Sequence, residues 1–140
     1  MKTDQTSPLP WSDHWRDKTD DLASKYYRGL CCCMCGKAYG VVGHHIKTRS
    51  HGHLRHAVLN LAPLCPDCHR AAHHSPKAFR EGFRERFPVW LAKLEDAVKK
   101  AKGHPDYEAA YARWVSHKDK GWRPLLISVG VPKKEARRAC

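Results

Sequence analysis

Four cysteines in two pairs form the most restrictive pattern in this sequence. Cys32 and Cys35 form one C-x-x-C pair, Cys65 and Cys68 form the other, and 29 residues separate the two pairs. This spacing allows both sulfurs of a tight knuckle to bind one tetrahedral ion, so the two pairs together predict a four-cysteine structural zinc site. Gly36 follows the first pair, and its tolerance of positive φ suits the turn of a knuckle.

Disulfide bonds are the alternative for these cysteines. The chain has seven cysteines, an odd number, and Cys31, Cys32 and Cys33 are consecutive, which is awkward for a disulfide framework. Residues 1–10 contain no apolar run, so we expect no secretory signal peptide. These observations favour zinc, although Cys31 or Cys33 could replace a neighbouring thiol as a ligand.

Four of the eleven histidines have a spacing that suits metal binding and proton transfer. His69 and His73 are four residues apart, so on a helix both side chains project from one face and can share an ion. His44 and His45 are adjacent, and on a strand their side chains leave on opposite sides. One of these two can complete a three-histidine site with open coordination positions, while the other can accept a proton near pH 7. The remaining histidines have no evident role, and a single histidine of this kind is more often a surface residue than a ligand.

The segment from residue 31 to residue 75 resembles the HNH endonucleases of the His-Me finger (ββα-metal) superfamily, in the version that has a zinc knuckle. The H-H-I tripeptide begins at His44, Asn60 follows His45 by fifteen residues, His69 comes nine later and His73 four after that. The overall layout is similar to small phage and prophage HNH proteins. The other two thirds of the chain resemble no family.

The resemblance implies a role for each of these residues. His45 would be the general base, while His44, His69 and His73 would bind the catalytic divalent ion, which could be Mg2+, Mn2+, Ni2+ or Zn2+. Asn60 would hold the loop and the base in orientation, although an asparagine here could also simply cap a turn. The roles suit phosphodiester hydrolysis, which needs an activated water and a cation that stabilises developing negative charge.

The resemblance also implies an activity. It predicts a metal-dependent endonuclease that cuts DNA, double-stranded DNA in the first place with RNA left open, to give 5′-phosphate and 3′-hydroxyl ends. The alternative is a non-catalytic zinc-knuckle module that binds nucleic acid in a phage packaging or recombination assembly. The presence of His45 together with every expected ligand favours the enzyme. We expect it in the cytoplasm of a bacterial or phage-infected cell, and the sequence leaves target specificity and oligomeric state open.

The charge balance favours a polyanionic partner. The chain has 26 Lys and Arg against 14 Asp and Glu, a net charge of +12, and residues 76–140 alone carry sixteen basic and eight acidic residues. Such a surface binds phosphate backbones without reading the base sequence. Lys47, Arg49 and Arg55 lie between His45 and Asn60, and Arg70 shares the segment of His69. These four cations are the candidates for gripping the nucleic-acid strand.

The elements that must position these residues predict an α+β fold. We expect one domain over residues 1–140, with a ββα-metal finger and knuckle at 31–75, a helical extension at 76–117 and a basic, solvated tail at 132–140. Three helices are expected in the extension, the first starting at Ser75 and Pro76. Their aromatic stripes fit core packing, with base stacking as the alternative. Outside these parts, residues 22–30 suggest a short helix, and residues 124–131 suggest a strand or docking segment.

Overall fold

A computed structural model describes residues 8–48 and 52–140 of the chain. Within these residues it contains seven α-helices, two short 3-10 helices (Gly52–Leu54 and Val58–Asn60) and one sheet of two strands. The elements are α1 (Asp13–Tyr27), β1 (Val42–His45), β2 (Leu61–Leu64), α2 (Pro66–His74), α3 (Pro76–Arg86), α4 (Pro88–Lys100), α5 (Tyr107–His117), α6 (Trp122–Ser128) and α7 (Lys133–Arg138). The predicted α+β class is confirmed. Among the described residues, no helix combines the length and the apolar character that a membrane span needs.

The two strands and the helix that follows them form the ββα unit. β1 and β2 are antiparallel, with His44 opposite Ala62 and His45 opposite Leu61. Every residue of β2 is buried, whereas exposure along β1 varies from residue to residue, so β2 is the inner strand of the pair. Cys65 follows β2 directly and is the N-cap residue of α2. The sheet and helix therefore bring the three predicted histidine ligands, Cys65 and Cys68 into one small unit, while Cys32 and Cys35 precede β1.

Three aromatic side chains donate hydrogen bonds to backbone carbonyls in the loop between the strands and at the first residue of β2. The Tyr27 hydroxyl donates to the carbonyl oxygen of Leu61 at 2.7 Å, and the Trp90 indole N–H donates to that of Leu59 at 2.8 Å. The Trp114 indole donates to the carbonyl of His56, also at 2.8 Å. All three rings are fully buried. The core packing predicted for the aromatic residues after residue 75 is confirmed for Trp90 and Trp114, and the polar ends of all three rings position the backbone on which the site is built.

The three helices predicted after residue 75 are present as α3, α4 and α5. Ser75 is the N-cap residue of α3, but its side chain makes no capping hydrogen bond, and Pro76 provides the expected first helical residue. Asp106 caps α5, since its side chain accepts a hydrogen bond from the backbone N–H of Ala109 at 2.9 Å. The division of the chain into a core, an extension and a tail stays a prediction.

Two segments differ from the sequence-based expectation. The helix expected at 22–30 is α1, which starts nine residues earlier, at Asp13, and packs along α5. Residues 124–131 do not form a strand, because most of them belong to α6, whereas burial of Leu125, Leu126 and Val131 agrees with the alternative of a docking segment. The buried residues Trp122, Leu125 and Leu126 of α6 are spaced three and four apart, which is the helical period.

The basic C-terminal segment is folded and is not a solvated tail. Residues Lys133–Arg138 form α7, and Glu135 is only 4% exposed. Its carboxylate accepts hydrogen bonds from the backbone N–H groups of Val89 and Trp90, each at 2.9 Å. These are orphan donors of the first turn of α4, where a negative charge also complements the helix dipole. A buried acidic residue within the charge run therefore fixes this segment to the core.

A disulfide bond joins Cys31 to Cys140, across 109 residues of sequence. The other five cysteines are free thiols. The argument against a disulfide framework thus holds for the two C-x-x-C pairs but not for Cys31. Nothing in the local spacing indicates this pairing, because it depends on α7 packing beside the knuckle.

Candidate active site and metal clusters

The four paired cysteines converge on one point. One sulfur from each of Cys32, Cys35, Cys65 and Cys68 lies within 4.8 Å of all the others, and the sulfurs of Cys35 and Cys65 are 3.5 Å apart. Two sulfurs bound tetrahedrally to zinc at about 2.3 Å would be about 3.8 Å apart. The cluster therefore fits a zinc ion, and the four cysteines can form the predicted knuckle.

Each cysteine pair is held by local backbone geometry. In the first knuckle, the Gly36 N–H donates to the Cys32 carbonyl at 2.8 Å, and Gly36 has a φ of +84°, as predicted. In the second, Cys65 caps α2, and its sulfur accepts from the Cys68 N–H at 3.5 Å. Burial tends to raise the pKa of Cys32, but backbone N–H groups pointing at its sulfur lower it to about 7. A thiol that ionises so readily is suited to metal binding.

Three of the predicted histidines form a second cluster. One ring nitrogen from each of His44, His69 and His73 lies within 4.8 Å of the other two, and the Nε2 atoms of His69 and His73 are 3.0 Å apart. Two nitrogens that bind one ion at about 2.1 Å and at a right angle would be about 3.0 Å apart. The distance between the two rings thus suits a shared cation.

The environment of the cluster keeps His44 in the form that binds metal. Burial lowers the pKa of His44 to about 4, with further lowering by nearby His69 and His73, and burial likewise lowers the pKa of His69. Neutral imidazole is the form of histidine that binds metal ions. The Nδ1 atom of His44 is buried without a hydrogen-bond partner among the described residues. The protein therefore does not use this ring as an ordinary structural hydrogen-bonding group.

The histidine cluster opens into a cavity of about 560 Å³ between β1, α2 and α3. His45 lines the same cavity, together with Phe79 and Arg80 from α3. His44 is buried and His73 is exposed, so the three ligands reach from the core to the surface. A small anionic group that enters this cavity can thus approach the histidine cluster and His45 together.

A backbone contact fixes the proton on one nitrogen of His45. The Nε2 atom of His45 lies 3.0 Å from the carbonyl oxygen of Arg55. A carbonyl can only accept, so Nε2 must carry the hydrogen in this contact, and the neutral ring then has its lone pair on Nδ1. His45 therefore has the tautomer in which Nδ1 can accept a proton.

The Asn60 side chain, directly before β2, forms hydrogen bonds to the start and to the middle of the loop between the strands. Its side chain is fully buried, and its Oδ1 atom accepts from the backbone N–H of Lys47 at 2.7 Å. Its Nδ2 atom donates to the carbonyl oxygens of Lys47 and Leu54, at 3.1 and 3.0 Å. These bonds match the predicted function of holding the loop. Because Leu54 precedes Arg55, they also help to place the carbonyl that His45 contacts.

Three of the four cations predicted to bind phosphate have acidic neighbours in the structure. Arg55 forms two hydrogen bonds to the carboxylate of Asp20, at 2.9 and 2.7 Å, and its side chain is only 16% exposed. Lys47 lies 3.9 Å from Glu95, and Arg70 lies 2.7 Å from Asp67. Arg49 lies outside the described residues. Arg55 is thus a partly buried cation paired with a carboxylate, the exposed Arg70 also has an acidic partner, and phosphate binding by these residues stays a prediction.

Sequence reasoning missed Asp20, His56 and Arg80. Asp20 lies on α1, and one of its carboxylate oxygens is 2.6 Å from Nε2 of the buried His56. Partial burial tends to raise the pKa of Asp20, but hydrogen bonds from His56 and Arg55 hold it well below its usual range. Thirty-five residues separate Asp20 from Arg55, so no local pattern predicts the pair. The sequence does indicate Arg80, because it directly follows Phe79 near the start of the helix predicted from residue 76.

Comparison with known protein families covers the middle of the chain. Residues 32–75 match the family model described as HNH endonuclease. No curated protein and no solved structure matches the chain. The matched segment begins at the first knuckle cysteine and ends after α2, so it contains both clusters, His45 and Asn60. The resemblance seen in the sequence is confirmed for this segment, whereas α1 and the helices from α3 onward lie outside it.

Proposed function

Because residues 32–75 form an HNH endonuclease domain, we propose that this protein is a metal-dependent endonuclease that hydrolyses DNA phosphodiester bonds. One observation carries the proposal: His45 lines the same cavity as the cluster of His44, His69 and His73. A general base and a set of metal ligands must face one reacting phosphate, and this cavity provides both.

His45 acts as the general base. With Nε2 bonded to the Arg55 carbonyl, Nδ1 takes a proton from a water molecule as the water oxygen attacks phosphorus. The bond from phosphorus to the 3′ oxygen breaks, and that oxygen takes a proton from a solvent water molecule. The products are a 5′-phosphate and a 3′-hydroxyl, the ends that the family resemblance implies.

His44, His69 and His73 hold the divalent cation in this proposal. When bound, it stabilises negative charge on the phosphoryl oxygens and on the leaving oxygen. Three neutral ligands leave coordination positions for substrate and water, as in other open metal sites. Asn60 maintains the loop that joins β1 to the carbonyl of Arg55, through its bonds to Lys47 and Leu54.

Cations near the cavity bind the DNA backbone. Arg80 lines the cavity, and Arg84 lies one helical turn further along α3. Arg84 and Lys47 each lie 3.9 Å from the same oxygen of Glu95, so one carboxylate faces two cations. Such long, partly exposed contacts are weak, and a substrate phosphate can compete for them. The net charge of +12 attracts the polyanion in general, and cytoplasmic action on cellular or phage DNA is part of the proposal.

Cleavage of supercoiled plasmid tests this function. Wild-type protein, His45→Ala and the control His74→Ala would each be incubated with plasmid and Mg2+, Mn2+ or Ni2+. We expect His45→Ala to lower the cleavage rate about 100 to 10,000-fold with DNA affinity retained, because it removes the base and no proposed ligand. His74 is exposed near the end of α2, and its removal should have little effect.

Two outcomes would contradict the proposal. If wild-type protein bound DNA but cut it with none of the metals, the non-catalytic nucleic-acid-binding module would be the better description. If His45→Ala kept more than about a tenth of the activity, the base would be another residue.

A further inference from the structure

We propose that Asp20, on α1 and outside the HNH segment, is a positioning residue for the general base. It would act through Arg55, because its carboxylate fixes the residue whose backbone carbonyl contacts Nε2 of His45. The inference rests on the proposed role of His45. It adds to the nuclease site a helix that the family model does not cover.

The carboxylate of Asp20 binds two consecutive residues of the loop. Arg55 approaches it side on, with Nε 2.9 Å from Oδ1 and a terminal nitrogen 2.7 Å from Oδ2. His56 adds a third contact, from Nε2 to Oδ1 at 2.6 Å. A two-point contact between arginine and a carboxylate fixes direction as well as distance. Both loop side chains are therefore held in a defined orientation against α1.

The backbone of the same segment is fixed at three successive carbonyl groups. The Leu54 carbonyl accepts from Asn60 at 3.0 Å, and the His56 carbonyl accepts from the indole of Trp114 at 2.8 Å. The carbonyl between them belongs to Arg55 and faces His45. Asn60 and Trp114 thus hold the neighbouring peptides, while Asp20 holds the side chain of the central residue. Displacement of Arg55 would move the acceptor that sets the tautomer of His45.

Loss of the Asp20 charge should alter the rate of the chemical step more than substrate binding. The Arg55 side chain is mostly buried and would lack a countercharge, so it would seek water and pull its backbone with it. A shift of about 1 Å in a catalytic group, or loss of an outer hydrogen-bond partner, typically costs about 10 to 100-fold in activity. Asp20 does not line the cavity of the histidine cluster, so metal and DNA binding should change little.

Steady-state kinetics of Asp20→Asn, with Asp21→Asn as the matched control, test this role. Asp21 is the next residue of α1, is exposed and pairs only with Lys25 among the described residues. We expect kcat at saturating DNA and metal to fall about 10 to 100-fold in Asp20→Asn, with KM and zinc content unchanged. Asp21→Asn should retain the wild-type kcat. An equal loss in both variants, or a change confined to KM, would overturn the proposal.

A second variant guards against misfolding of Asp20→Asn. Arg55→Lys keeps the charge but can make only one of the two contacts to Asp20. We expect a smaller fall in kcat, and a double variant with Asp20→Asn that falls no further than Asp20→Asn alone, because both changes act on one contact. Additive losses in the double variant would show that Asp20 does not act through Arg55.

Nitrogen NMR of labelled histidine provides a readout that does not depend on cleavage. The His45 signal, assigned by its loss in His45→Ala, should report the Nε2–H tautomer in zinc-loaded wild type at about pH 8, where an ordinary histidine is neutral. We expect a mixture of tautomers in Arg55→Lys and in folded Asp20→Asn. An unchanged signal in both would overturn the inference. A changed signal in a protein that cuts no DNA would leave the positioning intact and contradict only the proposed function.

Discussion

One nine-residue helix and its N-cap residue supply four of the seven ligands of two clusters that differ in the number and kind of their ligands. α2 and its N-cap contribute Cys65 and Cys68 to the thiol cluster, and His69 and His73 to the imidazole cluster. Cys32 and Cys35 complete the thiol cluster, and both Cys32 and Cys65 are 1% exposed. The imidazole cluster faces a cavity of about 560 Å³. Because Cys35 of the thiol cluster is itself exposed, the two clusters differ in the number and kind of their ligands more than in their exposure.

This difference distinguishes a site suited to a structural role from a site suited to a chemical one. Four thiolates fill the coordination sphere of zinc and leave no position for a substrate, which is typical of structural sites. Three neutral imidazoles leave positions open, and His45 lies beside them. Under the proposed function, the chain uses the thiol cluster to build the finger and the imidazole cluster to act.

The dependence between the clusters runs in one direction. Cys68 and His69 are neighbours at the start of α2, so the knuckle fixes the helical turn that presents the first histidine ligand. The histidines, in contrast, come after the cysteines on that helix and hold no part of the knuckle. We expect loss of zinc to disturb both clusters, and loss of a histidine to disturb only one.

The largest effect is expected from Cys68→Ser. It removes one of four zinc ligands, and structural zinc contributes directly to folding free energy. The free energy of unfolding should fall by more than about 4 kcal/mol, with loss of bound zinc and of cleavage. Thermal melting and metal analysis measure both changes. Cys33→Ala is the control, because Cys33 is buried beside the knuckle but lies outside the cluster; if it lost zinc as well, the ligand set would be wrong.

A smaller and more selective effect is expected from His73→Ala. The Mn2+ concentration that gives half-maximal cleavage should rise about 100-fold or more, since the change removes a direct ligand. Zinc content and melting temperature should stay near wild type. His74→Ala changes the neighbouring residue of the same helix and should keep the wild-type metal dependence. Titration of cleavage rate against Mn2+ gives the comparison. Loss of one zinc per chain from His73→Ala would end the division between the two clusters.

Local sequence patterns were sufficient to predict the parts of the site that lie close together in the chain. The C-x-x-C pairs, the four-residue histidine spacing and the periodic aromatics of α3 each depend on a single turn or helix, whose geometry is fixed. Gly36 shows this well, because its predicted positive φ is needed by the knuckle itself.

Contacts between distant segments could not be predicted in this way. Asp20 reaches Arg55 only because α1 packs across the loop, and Glu135 reaches the first turn of α4 only because the C-terminal segment folds back. The same folding back brings Cys140 to Cys31. A charge run or an isolated acidic residue looks solvated in sequence, and only tertiary packing supplies its partner.

The smallest expected effect tests whether the open cavity receives the DNA backbone. Arg80 lines that cavity, whereas Lys77 lies three residues earlier on α3 and is not part of its lining. For the cleavage-inactive His45→Ala protein, the logarithm of DNA affinity should fall linearly with the logarithm of salt concentration, because binding releases counterions. Adding Arg80→Ala should reduce that slope by about one unit, as expected for one lost phosphate contact, while Lys77→Ala should change it less.

Equal changes in the two variants would mean that the general positive charge of α3, and not the cavity beside His45, attracts the strand. A change in preference among DNA sequences with an unaltered slope would instead assign Arg80 to reading bases.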